Sequence, residues 1–190
     1  LEDKAPGVAF SGVQCDSRRV RPGDVFVAIA GSRDEGSKYA GAALSKGAVA
    51  VVSETPLRDI AKQVVMVKDA RRALACLASA LNGWPSRGMR VYGITGTNGK
   101  TTSAWLLREM LRAGGRNPGL LTTVQVEYRE RAIPATRTTP DACELQSLLA
   151  SMLGAGCDSA VMEVSSHALD QQRVACLRFA AAAFTNLSQD

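Results

Sequence analysis

The stretch that most constrains this chain is Gly93-Ile94-Thr95-Gly96-Thr97-Asn98-Gly99-Lys100-Thr101-Thr102, which joins an apolar run at residues 91–95 to a helical pattern at residues 101–113. Glycines let a strand-to-helix turn curl until successive N–H groups point at one anion, and the helix N-terminus adds its partial positive charge. Read this way, Gly96, Thr97, Asn98, Gly99, Lys100, Thr101 and Thr102 are the candidate ATP-binding residues. Lys100 can reach the β- and γ-phosphates and is the candidate catalytic residue, while the Thr101 hydroxyl is a candidate Mg²⁺ ligand. The strict Gly-x4-Gly-Lys-Ser/Thr spacing fails by one residue, because position 94 is Ile and Gly93 lies one further back. The plainer alternative is a structural glycine turn with an incidental lysine, but such turns rarely run on into Lys-Thr-Thr at a helix start.

An acid at the end of a neighbouring strand would complete such a site by holding the metal. Glu163 follows the apolar Ala160-Val161-Met162 and precedes the polar Ser165-Ser166-His167, so it is the second candidate metal ligand, with a solvated strand-end acid as the alternative. His167 is the only histidine. A lone histidine needs a positioned partner for acid–base work, and it is read as structural.

The rest of the chain alternates strand-like and helix-like segments. Residues 25–30, 48–52 and 64–67 read as strands, residues 39–46 as a helix, and residues 69–81 as a second helix capped by Asp69 and stopped at Asn82-Gly83. Trp84-Pro85-Ser86-Arg87-Gly88 breaks the pattern, which places a domain boundary between residues 1–88 and 89–190. Beyond it, strands are expected at 91–95, 120–128, 160–164 and 179–185, with helices at 101–113 and 140–153. Thr139-Pro140-Asp141 supplies a capping hydroxyl, a first-turn proline and an acid. The fold class is therefore α/β: a small N-terminal α/β domain, then part of a mostly parallel, P-loop-type sheet flanked by helices. The sheet looks half complete at Asp190 and Leu1 is not a start methionine, so a fragment is expected.

Composition narrows the partners. Net charge is +5, but the arginines form only short clusters, Arg18-Arg19-Val20-Arg21 and Arg71-Arg72, without interleaved aromatics, so a solvated surface is expected rather than a nucleic-acid face. The apolar runs are far short of the ~20 residues of a membrane helix, and no signal peptide opens the chain. Five widely spaced cysteines, with no Cys-x-x-Cys, suit a reducing cytosol better than a disulfide framework or a zinc site. A cytoplasmic, monomeric enzyme with no nucleic-acid or membrane partner is the expectation.

The loop at Gly93 to Thr102 resembles the ATP loop of the Mur ligase and folylpolyglutamate synthetase superfamily. Met162-Glu163-Val164-Ser165-Ser166-His167-Ala168-Leu169, with Gln171, Arg173 and the run from Phe184 to Asp190, is similar to the muramyl-tripeptide-forming branch of the Mur ligases. Asp16-Ser17-Arg18, the run from Pro22 to Ala28, and Thr138-Thr139-Pro140 extend the resemblance over nearly the whole chain. It implies an ATP- and Mg²⁺-dependent amide ligase that adds diaminopimelate or L-lysine to UDP-N-acetylmuramoyl-L-alanyl-D-glutamate through an acyl phosphate. It further implies a first domain that grips the uridine end of the substrate through Ser17 and the loop with Ser32, Arg33 and Asp34. Thr138, Thr139, Ser165, Gln171 and Arg173 match positions that contact the muramyl-dipeptide part, Arg137 beside them is a further candidate substrate contact, and Glu163 matches a magnesium ligand. Taken alone, Thr139 also suits a helix cap, Arg173 a surface charge and Ser17 a turn. Two loops depart from the family pattern: Arg137 stands where many members have Asn, and Glu35-Gly36-Ser37 replaces an Asp-Gly followed by His or Arg. By the same resemblance, a metal-binding histidine, a carbamylated lysine and a third domain lie beyond Asp190. Three rivals are a small-metabolite P-loop kinase, a non-catalytic nucleotide-binding module, and another Mur or folylpolyglutamate-type ligase.

Overall fold

The computed structural model describes residues 9–31, 35–57, 60 and 63–188. The chain divides into two compact units, Leu1–Leu81 and Asn82–Asp190. Residues 82–88, assigned by sequence to the first domain, fall in the second unit: the short helix at Pro85–Gly88 packs on a longer helix of that unit, and a Cβ at Gly88 would lie 2.8 Å from Leu153.

The first unit is a parallel four-stranded sheet in the order β1 (Gly12–Gln14), β2 (Asp24–Val27), β3 (Ala50–Ser53), β4 (Val64–Met66). Helix α1 (Ala40–Ser45), preceded by a 3₁₀ turn at Gly36–Tyr39, buries Ala40 and Ala43 against Phe26 and Val51. Helix α2 (Ala70–Leu81) packs on β1, β2 and β3 with Leu74, Ala75 and Ala78 buried. The Asp69 carboxylate accepts from the Arg72 N–H at 2.8 Å, which is the helix cap read from the sequence. Strand β1 was not anticipated, since only its Val13 is buried and three residues carry too little periodicity to register.

The second unit starts with α3 (Pro85–Gly88) and β5 (Arg90–Thr95), then α4 (Lys100–Ala113), β6 (Pro118–Leu121), β7 (Gln125–Tyr128), β8 (Arg131–Pro134), α5 (Ala142–Gly154), β9 (Ser159–Glu163), α6 (Ser166–Asp170) and β10 (Phe179–Phe184). The sheet order is β10-β5-β9-β6-β7-β8, parallel as far as β6 and antiparallel through the β7 and β8 hairpin. The single strand expected at 120–128 is broken at Thr122, whose hydroxyl accepts from the N–H groups of Val124 and Gln125 and so draws the backbone out of the ladder. Strand β8 escaped notice because all four of its residues are exposed and it ends in proline, which is edge-strand chemistry without an apolar signal.

One face of this sheet packs on α5, where Leu145, Leu149 and Met152 meet Val91, Leu121, Ala160 and Met162. The other packs on α4 through Ala104, Ile94, Leu120 and Val161. Asp141, not Thr139, caps α5, with its carboxylate accepting from Glu144 N at 3.0 Å. Cys157 is buried, and that burial raises its thiol pKa. Among the described residues no helix is long and apolar enough to cross a membrane. Replacing Asp141 by Ala is expected to lower the unfolding free energy by ~1 kcal/mol. An unchanged urea midpoint in that variant would show that the cap contributes nothing.

Candidate active site

In a parallel sheet, the loops that leave the C-terminal ends of adjacent strands converge, and ligands bind there. Four such loops meet in the second unit: the phosphate loop after β5, the turn after β6, the Ser165 loop after β9 and residues 185–188 after β10. The pleat of β9 decides what faces them. Ala160 and Met162 point into the core under α5 and Val161 into the core under α4, so Glu163 falls on the α4 side, beside the first turn of that helix.

There Glu163 Oε1 accepts from Thr101 Oγ1 at 2.9 Å and from the Thr123 N–H at 2.9 Å, and Oε2 accepts from Thr123 Oγ1 at 3.2 Å. Glu163 is 1% exposed, and among the described residues no cationic side chain pairs with it. A buried carboxylate served only by neutral donors is short of positive charge. The Thr101 hydroxyl and the Glu163 carboxylate are hard oxygens side by side, the donor set a Mg²⁺ ion takes together with phosphate oxygens and water. The residues present fit that ion.

The candidate substrate residues continue from this carboxylate. Thr138 Oγ1 lies 3.2 Å from Thr123 Oγ1. The buried Thr139 hydroxyl donates to the Glu163 carbonyl at 3.0 Å and accepts from the Ser165 N–H at 3.0 Å, so it ties two loops together instead of capping α5. The Ser165 hydroxyl caps α6 by accepting from Ala168 N. Arg173 donates from Nη1 to the Thr139 carbonyl at 2.8 Å and from Nε and Nη2 to Gln171 Oε1 at 3.0 and 2.8 Å. Thr101, Thr138, Thr139, Glu163, Ser165, Gln171 and Arg173 therefore form one connected cluster. Arg137 stands outside it, exposed and 3.8 Å from Asp141 in an ion pair. His167 is exposed on α6, where its carbonyl accepts from Gln171 N.

The phosphate loop has its own bonding. Helix α4 starts at Lys100 after Gly99, whose φ of +82° favours glycine, and no side chain caps it. Lys100 Nζ lies over the loop, donating to the carbonyls of Gly96 and Thr97 at 2.7 and 2.8 Å. Three residues outside the sequence-derived site hold this loop: Thr185, Asn186 and Ser188 bond to the backbone of Asn98 or to Thr97. Together with Thr123 they are the site residues that sequence reasoning missed. The polar Thr122-Thr123 pair inside an otherwise apolar run was the available signal for Thr123.

In the first unit, Ser17 is half-buried in a turn built by Asp16, whose carboxylate accepts from the Arg18 N–H and, at 2.7 Å, from Arg18 Nη2. Arg18, Arg19 and Arg21, together with one acid, Asp24, line a cleft of about 680 Å³ beside this turn, a lining of net positive charge that suits an anionic ligand. Ser32, Arg33 and Asp34 lie outside the described residues.

Residues 94–190, from β5 onward, match the Mur ligase middle domain, and residues 9–81 match the Mur ligase family, catalytic domain. The chain belongs to the Mur ligase family. Among relatives, the UDP-N-acetylmuramoyl-L-alanyl-D-glutamate–2,6-diaminopimelate ligase of Parabacteroides distasonis is 47% identical over 188 residues, covering 98% of this chain and 39% of that protein. The enzyme of the same name from Gloeobacter violaceus is 44% identical, covering 97% of this chain and 38% of its own length. This Mur ligase chain thus spans less than two fifths of these relatives. A solved structure of a ligase bearing that name superposes with a TM-score of 0.81 at 30% identity, over 95% of this chain and 37% of that one. The MurF ligase of Thermotoga maritima, solved in complex with ADP, gives a TM-score of 0.56 at 25% identity over 85% of this chain and 34% of its own.

Two predictions follow from the charges in these sites. The hydrogen bond from the Arg18 side chain, foremost, holds the Asp16 carboxyl at about 2, below its ordinary 3.8. A lowered pKa contributes stability that is fully present above pH 3.8 and is lost as the pH falls through about 2. NMR titration of Asp16 should give that low midpoint and show it climb toward 3.8 in Arg18→Ala; a wild-type midpoint near 4 would contradict the assignment. Glu163→Gln removes the buried charge while keeping the shape. It should leave metal-free thermal stability equal or higher, and Mg²⁺ with ADP is expected to raise the melting temperature of the wild type but not of the variant.

Proposed function

We propose that this chain serves an ATP-dependent ligase that joins diaminopimelate to UDP-N-acetylmuramoyl-L-alanyl-D-glutamate, the reaction its relatives are named for. The observation that carries the reading is the pairing of a buried, uncompensated Glu163 carboxylate with Thr101 at the head of an uncapped helix preceded by Lys100. This arrangement suits the phosphate end of a nucleotide and a divalent cation rather than a neutral ligand. The MurF relative solved with ADP is consistent with a nucleotide in this loop.

In this reading the second unit binds ATP and the muramyl-dipeptide end, and the arginine-lined cleft of the first unit, next to Ser17, takes the uridine diphosphate end. The dipeptide carboxylate attacks the γ-phosphorus and ADP leaves. The amine of the incoming amino acid then attacks the acyl carbon, loses a proton, and inorganic phosphate departs. Chain residues contribute position and charge to these steps. Lys100 exchanges its two loop carbonyls for β- and γ-phosphate oxygens and stabilises the charge that moves onto the leaving ADP. Gly99 and the first-turn amides of α4 hold the phosphates in line. Thr138, Gln171 and Arg173 orient the substrate's carboxylate end, fixed in turn by Thr139. Thr101 and Glu163 would hold Mg²⁺, which when bound neutralises charge on the transferring phosphoryl group. The enzyme is proposed to act in the cytoplasm as a monomer.

Lys100→Ala is expected to abolish ATP turnover in the full-length protein while the fold persists. Assaying phosphate release with UDP-N-acetylmuramoyl-L-alanyl-D-glutamate and either diaminopimelate or L-lysine tests the substrate assignment. Near wild-type turnover by the variant, or no amino-acid-dependent phosphate release by the wild type, would refute it.

A further inference from the structure

The orientation of each peptide in the phosphate loop can be read from its hydrogen bonds. A trans peptide is planar, so a residue's C=O and the next residue's N–H point in opposite directions. The carbonyls of Gly96 and Thr97 face Lys100 Nζ. As planarity requires, the N–H groups of Thr97 and Asn98 face away from the lysine: Thr97 N donates to the Asn186 carbonyl and Asn98 N to Asn186 Oδ1, both at 3.0 Å. At the next peptide the sense reverses. The Asn98 carbonyl points outward, accepting from Thr185 Oγ1 at 2.7 Å and from Asn186 Nδ2 at 3.1 Å. The Gly99 N–H must then turn inward, toward the lysine side, where it continues into the uncapped amides of α4.

This reversal is imposed from outside the loop. The Asn186 amide grips both faces of Asn98, accepting from its N–H and donating to its C=O, and the Thr185 hydroxyl adds a second donor to that carbonyl. Ser188 ties down the neighbouring Thr97 hydroxyl through its own N–H and C=O. The fit is close: a Cβ at Gly96 would lie 2.2 Å from Thr185 Oγ1 and 2.9 Å from the Asn186 carbonyl. Thr97 and Asn98, candidate ATP contacts by sequence, thus have their amides committed to Asn186, and Gly99 is the next amide along the loop that can meet a phosphate oxygen.

We propose that Thr185 and Asn186 are positioning residues that lock the Asn98–Gly99 peptide with its N–H inward, and that they thereby set the affinity of the loop for the polyphosphate of a nucleotide. The proposal rests on the reading of this loop as an ATP site. Removing the two side chains removes the hydrogen bonds that hold the Asn98 carbonyl outward, and so favours rotation of that peptide to present its carbonyl oxygen, a repulsive dipole, to the phosphate.

The test uses the full-length protein with Thr185→Val, Thr185→Ser, Asn186→Ala and the Val/Ala double variant. ADP affinity is measured by calorimetry, and the KM values for ATP and for the muramyl-dipeptide substrate are measured separately. Losing one charge-assisted amide contact should weaken ADP binding and raise the ATP KM about ten-fold or more in the double variant. The muramyl-dipeptide KM should stay unchanged, and Thr185→Ser, which keeps the hydroxyl, should restore what Thr185→Val loses. Thr185→Val is nearly isosteric, so it still reports if the double variant does not fold. A double variant that binds ADP as tightly as wild type overturns the proposal alone, as does a parallel rise in both KM values, the mark of a merely structural role. Wild-type protein that fails to bind ADP overturns the nucleotide reading and this proposal with it.

Discussion

The second unit is organised around one buried carboxylate. Glu163 is the last residue of β9, and its side of the sheet is fixed by the same pleat that sends Met162 into the α5 core and Val161 into the α4 core. A slip of one residue in that register would turn the acid into the apolar α5 layer. The hydrophobic core and the chemistry are therefore specified together: whatever keeps Val161 under α4 also keeps Glu163 beside Thr101. The cost of burying the charge is met in part by three neutral hydrogen bonds and is left open toward the helix start.

From this carboxylate the bonding runs outward in two directions. Through Thr101 it reaches the loop that is proposed to take phosphates. Through Thr123, Thr139 and the Glu163 carbonyl it reaches Thr138, Ser165, Gln171 and Arg173. The two halves of the proposed substrate pair would thus be handled by side chains that share one set of hydrogen bonds. Positioning at one end is felt at the other, which is what a reaction governed by alignment requires.

The sequence made the glycine loop and its lysine plain because that chemistry is local: glycines, a cation and a hydroxyl at fixed spacing between a strand and a helix. Glu163 was also legible, as an acid at the end of an apolar run. Thr123, Thr185 and Asn186 were not, because their roles depend on which strands lie side by side, and the order β10-β5-β9-β6 is not written in any one segment. Residues 185–188 come about ninety positions after the loop they hold, a separation at which local pattern says nothing. Helix starts misled in a smaller way. Thr139 and Asp141 both looked like caps, and the choice between them was made by Ser165 and Glu163, which draw the Thr139 hydroxyl to the C-terminal end of β9. The hairpin strand β8 was hidden for the opposite reason, as a fully exposed edge offers no apolar period to read.

Lys100 resting on two of its own loop's carbonyls has a kinetic meaning. The ammonium group cross-links the turn through two of its carbonyls and so helps it keep its curvature. An incoming polyphosphate does not have to order a slack loop; it displaces two neutral dipoles with better acceptors for the same three donors. In the proposed reading, the same two carbonyls would compete with phosphate oxygens for the lysine and so favour release of spent nucleotide.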